Sequence, residues 1–227
     1  MKLLPDLHRA DAVPQWETVD PSEWNQYQRR AAETNGWDTP GNRLSLEGAI
    51  ETTVGLGLIY LDKPATTVLG AALVTVGRVR DLQDGKRAEE TGTKSPKGEA
   101  IDASVDTALG VFAALVMKRK KLVPAEAADE LIANVGIKIG ASLVAKLSGR
   151  EMHTERMGKY GTALRWADVT TRIGKRAAEH FRHTGISGKL EKPSAIMTRA
   201  GVLMDRQATA GYVRDALTPK QKRSAEA

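Results

Sequence analysis

Four aspartates between residues 81 and 106 constrain this chain more than any other feature. Asp81 and Asp84 stand three residues apart, and Asp102 and Asp106 four apart. Either spacing puts both carboxylates of a pair on one face of a helix, a turn from each other. Between the pairs lie Gly92, Ser95, Pro96 and Gly98, which mark a short break. Two helices joined by such a loop can aim four carboxylates into one pocket. Oxygen ligands at that density suit a hard divalent cation, Mg²⁺ or Mn²⁺, which commonly binds phosphate at the same time.

The rest of the sequence also reads as helix. Ala- and Leu-rich stretches are interrupted at Asp62-Lys63-Pro64, Gly92 to Gly98, Val123-Pro124 and Gly185 to Pro193. No run alternates apolar and polar residues for long enough to build a sheet. The expected helices span 20–36, 45–61, 64–88, 98–119, 125–148, 158–183 and 193–216. The first carries Trp24, Tyr27 and Trp37 with Arg29 and Arg30, a mixture that suits either an interfacial helix or a surface helix with two buried tryptophans.

At 227 residues the chain can enclose one sizeable core. It has no cysteine, which excludes disulfides and thiolate metal sites. Its net charge of +6 favours anionic partners, whether phosphorylated substrates, an anionic lipid surface or nucleic acid. Aromatic residues make up only 4%, which argues against a stacking platform for single-stranded nucleic acid. His180 and His183 lie a turn apart with no third ligand at matching spacing, so they are expected as a solvated pair. The opening MKLLPDLHRADAVP lacks the apolar run of a secretory signal.

The aspartate segment resembles the signature of the CDP-alcohol phosphotransferase (CDP-alcohol phosphatidyltransferase) family. That signature reads D, two residues, D-G, two residues, A-R, eight residues, G, three residues, D, three residues, D. Asp81, Asp84-Gly85, Ala88, Gly98, Asp102 and Asp106 fall at its offsets, and Glu89 stands where the arginine belongs. The segment Thr39 to Leu46 is similar to the family's entry into its first membrane helix. The resemblance implies an all-α fold: six transmembrane helices preceded by an amphipathic juxtamembrane helix. It divides the chain into an arm and helix over 1–38, a catalytic helical domain over 39–217 and a basic tail over 218–227.

It also implies an enzyme that transfers a phosphatidyl or similar phosphoalcohol group from a CDP-linked lipid donor to an alcohol, with release of CMP. Asp81, Asp84, Asp102 and Asp106 would hold Mg²⁺ or Mn²⁺, with Asp106 also the general base. Gly85, Ala88 and Gly98 would leave room for the CDP moiety, and Arg156 and Lys159 would meet the phosphate of a phosphorylated acceptor. Lys86 and Arg87 are candidates to replace the missing arginine. The protein would be a homodimer in the inner membrane with its site facing the cytoplasm.

The membrane expectation meets resistance from the later helices. The segment 158–183 carries Arg165, Asp168, Arg172, Lys175 and Arg176, and the last helix carries Arg199, Asp205, Arg206 and Arg214. A charge at mid-bilayer costs about 2.5–3.5 kcal/mol on insertion scales. These charges must therefore line a polar interior or a subunit interface, or the protein is only peripherally attached. Positive-inside counting is equivocal, because the stretch 78–97 and Lys118 to Lys121 are both basic. Two other readings remain: a family relative that has lost catalysis, and a basic helical protein that binds nucleic acid or an anionic surface.

Overall fold

The computed structural model describes residues 13–148 and 156–218. Among these there are seven α-helices and no strands: α1 (Gln26–Glu33), α2 (Pro40–Leu61), α3 (Pro64–Glu90), α4 (Pro96–Arg119), α5 (Ala125–Leu147), α6 (Arg156–His180) and α7 (Thr184–Leu217). Three of the long helices open in the same way, with Pro40, Pro64 and Pro96 in the first turn. There the missing N–H costs nothing and the fixed φ favours the helix. Thr39 caps α2 by accepting from the Asn42 N–H, and Ser95 caps α4 by accepting from the Gly98 N–H. Asp62 ends α2 in the left-handed region at φ 54°, which turns the chain directly into α3.

Two local expectations fail. The leading segment is not one helix over 20–36. It forms two short 3₁₀ turns, Gln15–Thr18 and Pro21–Glu23, and then α1, which Asn25 starts through a capping box with Gln28. Trp24 and Trp37 flank α1 rather than ride on it, and Trp37 is exposed. The deeply buried ring is Trp16, at 3% exposure. The expected break from Gly185 to Pro193 is absent, because α7 runs unbroken through Pro193. A proline inside a helix costs about 3 kcal/mol. The contacts of the next turn offset this: Ser194 and Thr198 each donate to the buried Asp168 carboxylate at 2.5 Å, and Arg172 of α6 bonds Thr198 at 2.8 Å.

α2 packs against α3 and α4, α6 packs against α3 and α7, and α5 packs against α4 and α7. The core gathers Leu56, Ile59, Val74, Leu109, Val116, Met117, Trp166 and Ile173 from α2, α3, α4 and α6. The α2–α3 contact is backbone on backbone. A β-carbon added at Gly77 would stand 2.5 Å from the Gly48 carbonyl oxygen, and one at Gly55 would stand 2.7 Å from that of Gly70. Small residues at such crossings let helices associate by close packing where apolar burial gives little drive, as in lipid.

α2 and α4 are long and apolar enough to cross a bilayer. Large apolar side chains point outward on α2 (Leu46, Ile50, Val54), α3 (Leu69, Val76, Val79), α4 (Leu115) and α5 (Ile139, Leu143, Leu147). The charges that strained the membrane expectation are largely paired inside the bundle. Asp205 of α7, 3% exposed at its side chain, meets both Lys138 of α5 and Arg165 of α6. Asp168 pairs with Arg172 at 2.9 Å, and Arg172 also bonds the Leu122 carbonyl at 2.6 Å. Arg176 holds Asp62 at 2.7 Å. The solvated histidine pair is corrected too. The His180 side chain is only 17% exposed, with Nε2 3.2 Å from Asp62, while His183 is exposed just ahead of α7.

Candidate active site

The last turns of α3 and the first turns of α4 meet across the loop from Thr91 to Ser95. Gly92 turns this loop at φ 67°. The Thr93 N–H returns to the Ala88 carbonyl at 2.8 Å. The N-terminal segment braces it from outside: the Gln15 N–H donates to the Lys94 carbonyl at 2.8 Å and Asn25 Nδ2 to the Thr91 carbonyl at 3.1 Å.

In this frame Asp81, Asp84 and Asp102 converge, each offering an oxygen within 4.8 Å of the others. Asp84 is buried and receives a hydrogen bond from the Ser45 hydroxyl of α2. Oδ1 of Asp102 is buried with no hydrogen-bond partner among the described residues. An orphaned carboxylate oxygen between two other carboxylates is costly unless a cation completes the site. Three hard anionic oxygens, one of them free of protein donors, fit a divalent ion of the Mg²⁺ or Mn²⁺ type.

Asp106 does not belong to that group. Its Oδ1 accepts from Nη1 of Arg78 at 2.7 Å, while Nη2 of the same guanidinium donates to Asp81 at 2.5 Å. The other face of the guanidinium lies over the Trp166 ring of α6, 4.4 Å from its centroid.

The small residues divide between two roles. Gly85 is exposed, and a β-carbon there would meet nothing within 4 Å. Gly98 is half-buried, with Asn42 Oδ1 3.2 Å from where its β-carbon would stand. Ala88 instead packs on α2, its β-carbon 3.0 Å from where one on Gly41 would be. Glu89 is exposed. Lys86 and Arg87 both lie near Glu90, at 3.7 and 3.6 Å, and Arg87 also sits over the Tyr27 ring. Arg156 and Lys159 belong to the first turn of α6, but their side chains fall outside the described residues.

Residues 42–177 match the family model described as CDP-alcohol phosphatidyltransferase. The chain belongs to this family. No curated protein and no solved structure matches it. The matched span runs from α2 into α6 and contains all four aspartates, Arg78 and Trp166. The family uses divalent metals and this chain carries an aspartate cluster, and membership supports a transferase role in phospholipid headgroup chemistry. Together with the two apolar helices, it points to a membrane protein.

Ser45, Arg78 and Trp166 escaped the sequence reading. Arg78 had a signal, since it lies three residues before Asp81 and so on the same helical face. Ser45 and Trp166 had none, because their partners lie on other helices, 39 residues away for Ser45 and 88 for Trp166.

Proposed function

We propose that this protein transfers a phosphatidyl group from a CDP-linked donor such as CDP-diacylglycerol to an alcohol acceptor, of the glycerol phosphate or inositol phosphate type, with release of CMP. The observation that carries this reading is the convergence of Asp81, Asp84 and Asp102, with Asp106 one helical turn beyond and fixed by Arg78. Asp81, Asp84 and Asp102 would hold Mg²⁺ or Mn²⁺, which supplies charge neutralisation at the donor diphosphate.

The residues of the chain do the rest. Ser45 fixes the Asp84 carboxylate by donating to one of its oxygens. Arg78 occupies Oδ1 of Asp106, while Oδ2 makes no hydrogen bond among the described residues. Oδ2 is therefore the atom that takes the proton of the acceptor hydroxyl. The freed oxygen forms a bond to the lipid-bearing phosphorus, and the P–O bond to CMP breaks, with the electron pair leaving on CMP. Gly85 and Gly98 border the space for the CDP moiety, with Ala88 packed on α2 behind them, and Arg156 and Lys159 receive the acceptor phosphate. The catalytic unit spans 39–217 and works as a homodimer in the inner membrane, with the site on the cytoplasmic side.

The test is Mg²⁺-dependent release of CMP from CDP-diacylglycerol by detergent-extracted protein across a panel of acceptor alcohols. Release with one acceptor class, lost in Asp102→Asn, supports the reading. No release with any acceptor refutes it. Glu89→Arg is the companion variant: tighter donor binding in this variant would place Glu89 beside the diphosphate.

A further inference from the structure

Arg78 stands where four clustered carboxylates would otherwise face one another. Its guanidinium spans Asp81 and Asp106 at 2.5 and 2.7 Å. Its side chain is only 15% exposed, and the buried Trp166 ring closes its other face at 4.4 Å. An arginine stays protonated throughout the working pH range, so this is a permanent cation held by two anions and an aromatic seat. Four carboxylates at these spacings can hold one divalent ion or two. A second ion would need oxygens from Asp106 and Asp81, the residues that the guanidinium already bridges. We propose that Arg78, seated on Trp166, takes the place of a second cation, so that the site binds a single divalent ion on Asp81, Asp84 and Asp102 and keeps Asp106 out of its coordination shell.

The inference rests on the metal-dependent reading above. Arg78 and Trp166 are positioning residues, because they act through Asp81 and Asp106. The stack also makes α6 part of the site, although α6 contributes no carboxylate to it. Arginine suits this position because its planar fork satisfies two carboxylates at once while its flat face stacks on the indole. A lysine could pair with one carboxylate but could not bridge and stack in the same way.

The test is Mn²⁺ titration of the purified full chain in detergent, with bound ions counted by electron paramagnetic resonance. The wild type is expected to bind one Mn²⁺ per chain, with the spectrum of an isolated ion. Arg78→Gln is expected to bind two, with the broadening of a spin-coupled pair, and Trp166→Leu to show the second ion at lower affinity. A purely structural role for Arg78 would lower stability without creating a coupled pair. Two ions in the wild type, or one in a folded Arg78→Gln protein, overturn the proposal and leave the metal site standing. Should Arg78→Gln not fold, the wild-type count and Trp166→Leu decide: a single ion in both also overturns it. Failure of the wild type to bind Mn²⁺, or binding unchanged in Asp84→Asn, overturns the metal reading and this proposal with it.

Discussion

At the scale of single residues, Asp106 and Asp62 show how one side-chain type serves different ends. Asp106 is placed by Arg78 and has one oxygen left for the acceptor hydroxyl. A general base contributes about 10²–10⁴ in rate. Asp106→Asn is therefore expected to lower turnover by that range while binding of the CDP donor survives, measured by steady-state CMP release and by donor-induced thermal shift. Asp62 sits at the other end of α3, where Arg176 hydrogen-bonds it and holds its carboxyl below the usual carboxylate range; the charge of Arg176 and a bond from His180 add to this against the effect of burial. An unfolded aspartate titrates near 3.9, so a folded value below that adds stability that is complete at neutral pH and fades as pH falls through about 4. Asp62→Asn should cost about 1.5–3 kcal/mol at pH 7, and the gap to wild type should close as pH drops toward 3, read by thermal unfolding at a series of pH values. Asp102 meets Asp81 and Asp84 across the loop as the short break suggested, and the shared face of Asp81 and Asp84 on α3 was legible because helical spacing sets it. Arg78's bond to Asp106 and its seat on Trp166 were not, because they depend on how α3, α4 and α6 approach one another.

At the scale of elements, the α2–α3 pair depends on positions without side chains. A β-carbon at Gly77 would strike the Gly48 carbonyl and the Thr52 hydroxyl, whereas one at Gly57 would meet nothing within 4 Å. Gly77→Ala is expected to cost about 1–3 kcal/mol by overpacking, and Gly57→Ala to be neutral or to gain up to about 1 kcal/mol from helix propensity. Thermal unfolding of the two variants in the same detergent separates these outcomes, and equal losses would refute the packing account. α4 begins at Pro96, two residues before the expected 98, whereas the proline-initiated start of α3 was legible, since such a signal acts within a few residues. Pro193 misled for the same reason. It is a local breaker, and what overrides it is Asp168, 26 residues from Ser194 in sequence. The charges of α6 and α7 left a polar interior, a subunit interface and peripheral attachment open, because hydropathy counts each charge only as a cost; Asp205 with Lys138 and Arg165, and Asp168 with Arg172, meet inside the bundle.

At the scale of the whole molecule, apolar side chains face outward on four consecutive helices, α2 to α5, while Arg165, Asp168, Arg172 and Asp205 of the later helices find partners within the bundle. A surface of that kind is stable against lipid tails and prone to association in water. The chain is accordingly expected in the membrane fraction and resistant to high-salt extraction; release by salt alone would mark it as peripheral. The contact between Gly48 and Gly77 carries one more consequence, for biosynthesis. Only Asp62 and Lys63 separate α2 from α3, so this pairing needs no distant part of the polypeptide. Contacts between neighbours in sequence form early, and chains emerge from the ribosome N-terminus first. The hairpin can close, with Ser45 against Asp84, while Asp102 is still within the exit tunnel. Nascent protein would then carry half of its catalytic frame before Asp102 and Asp106 arrive.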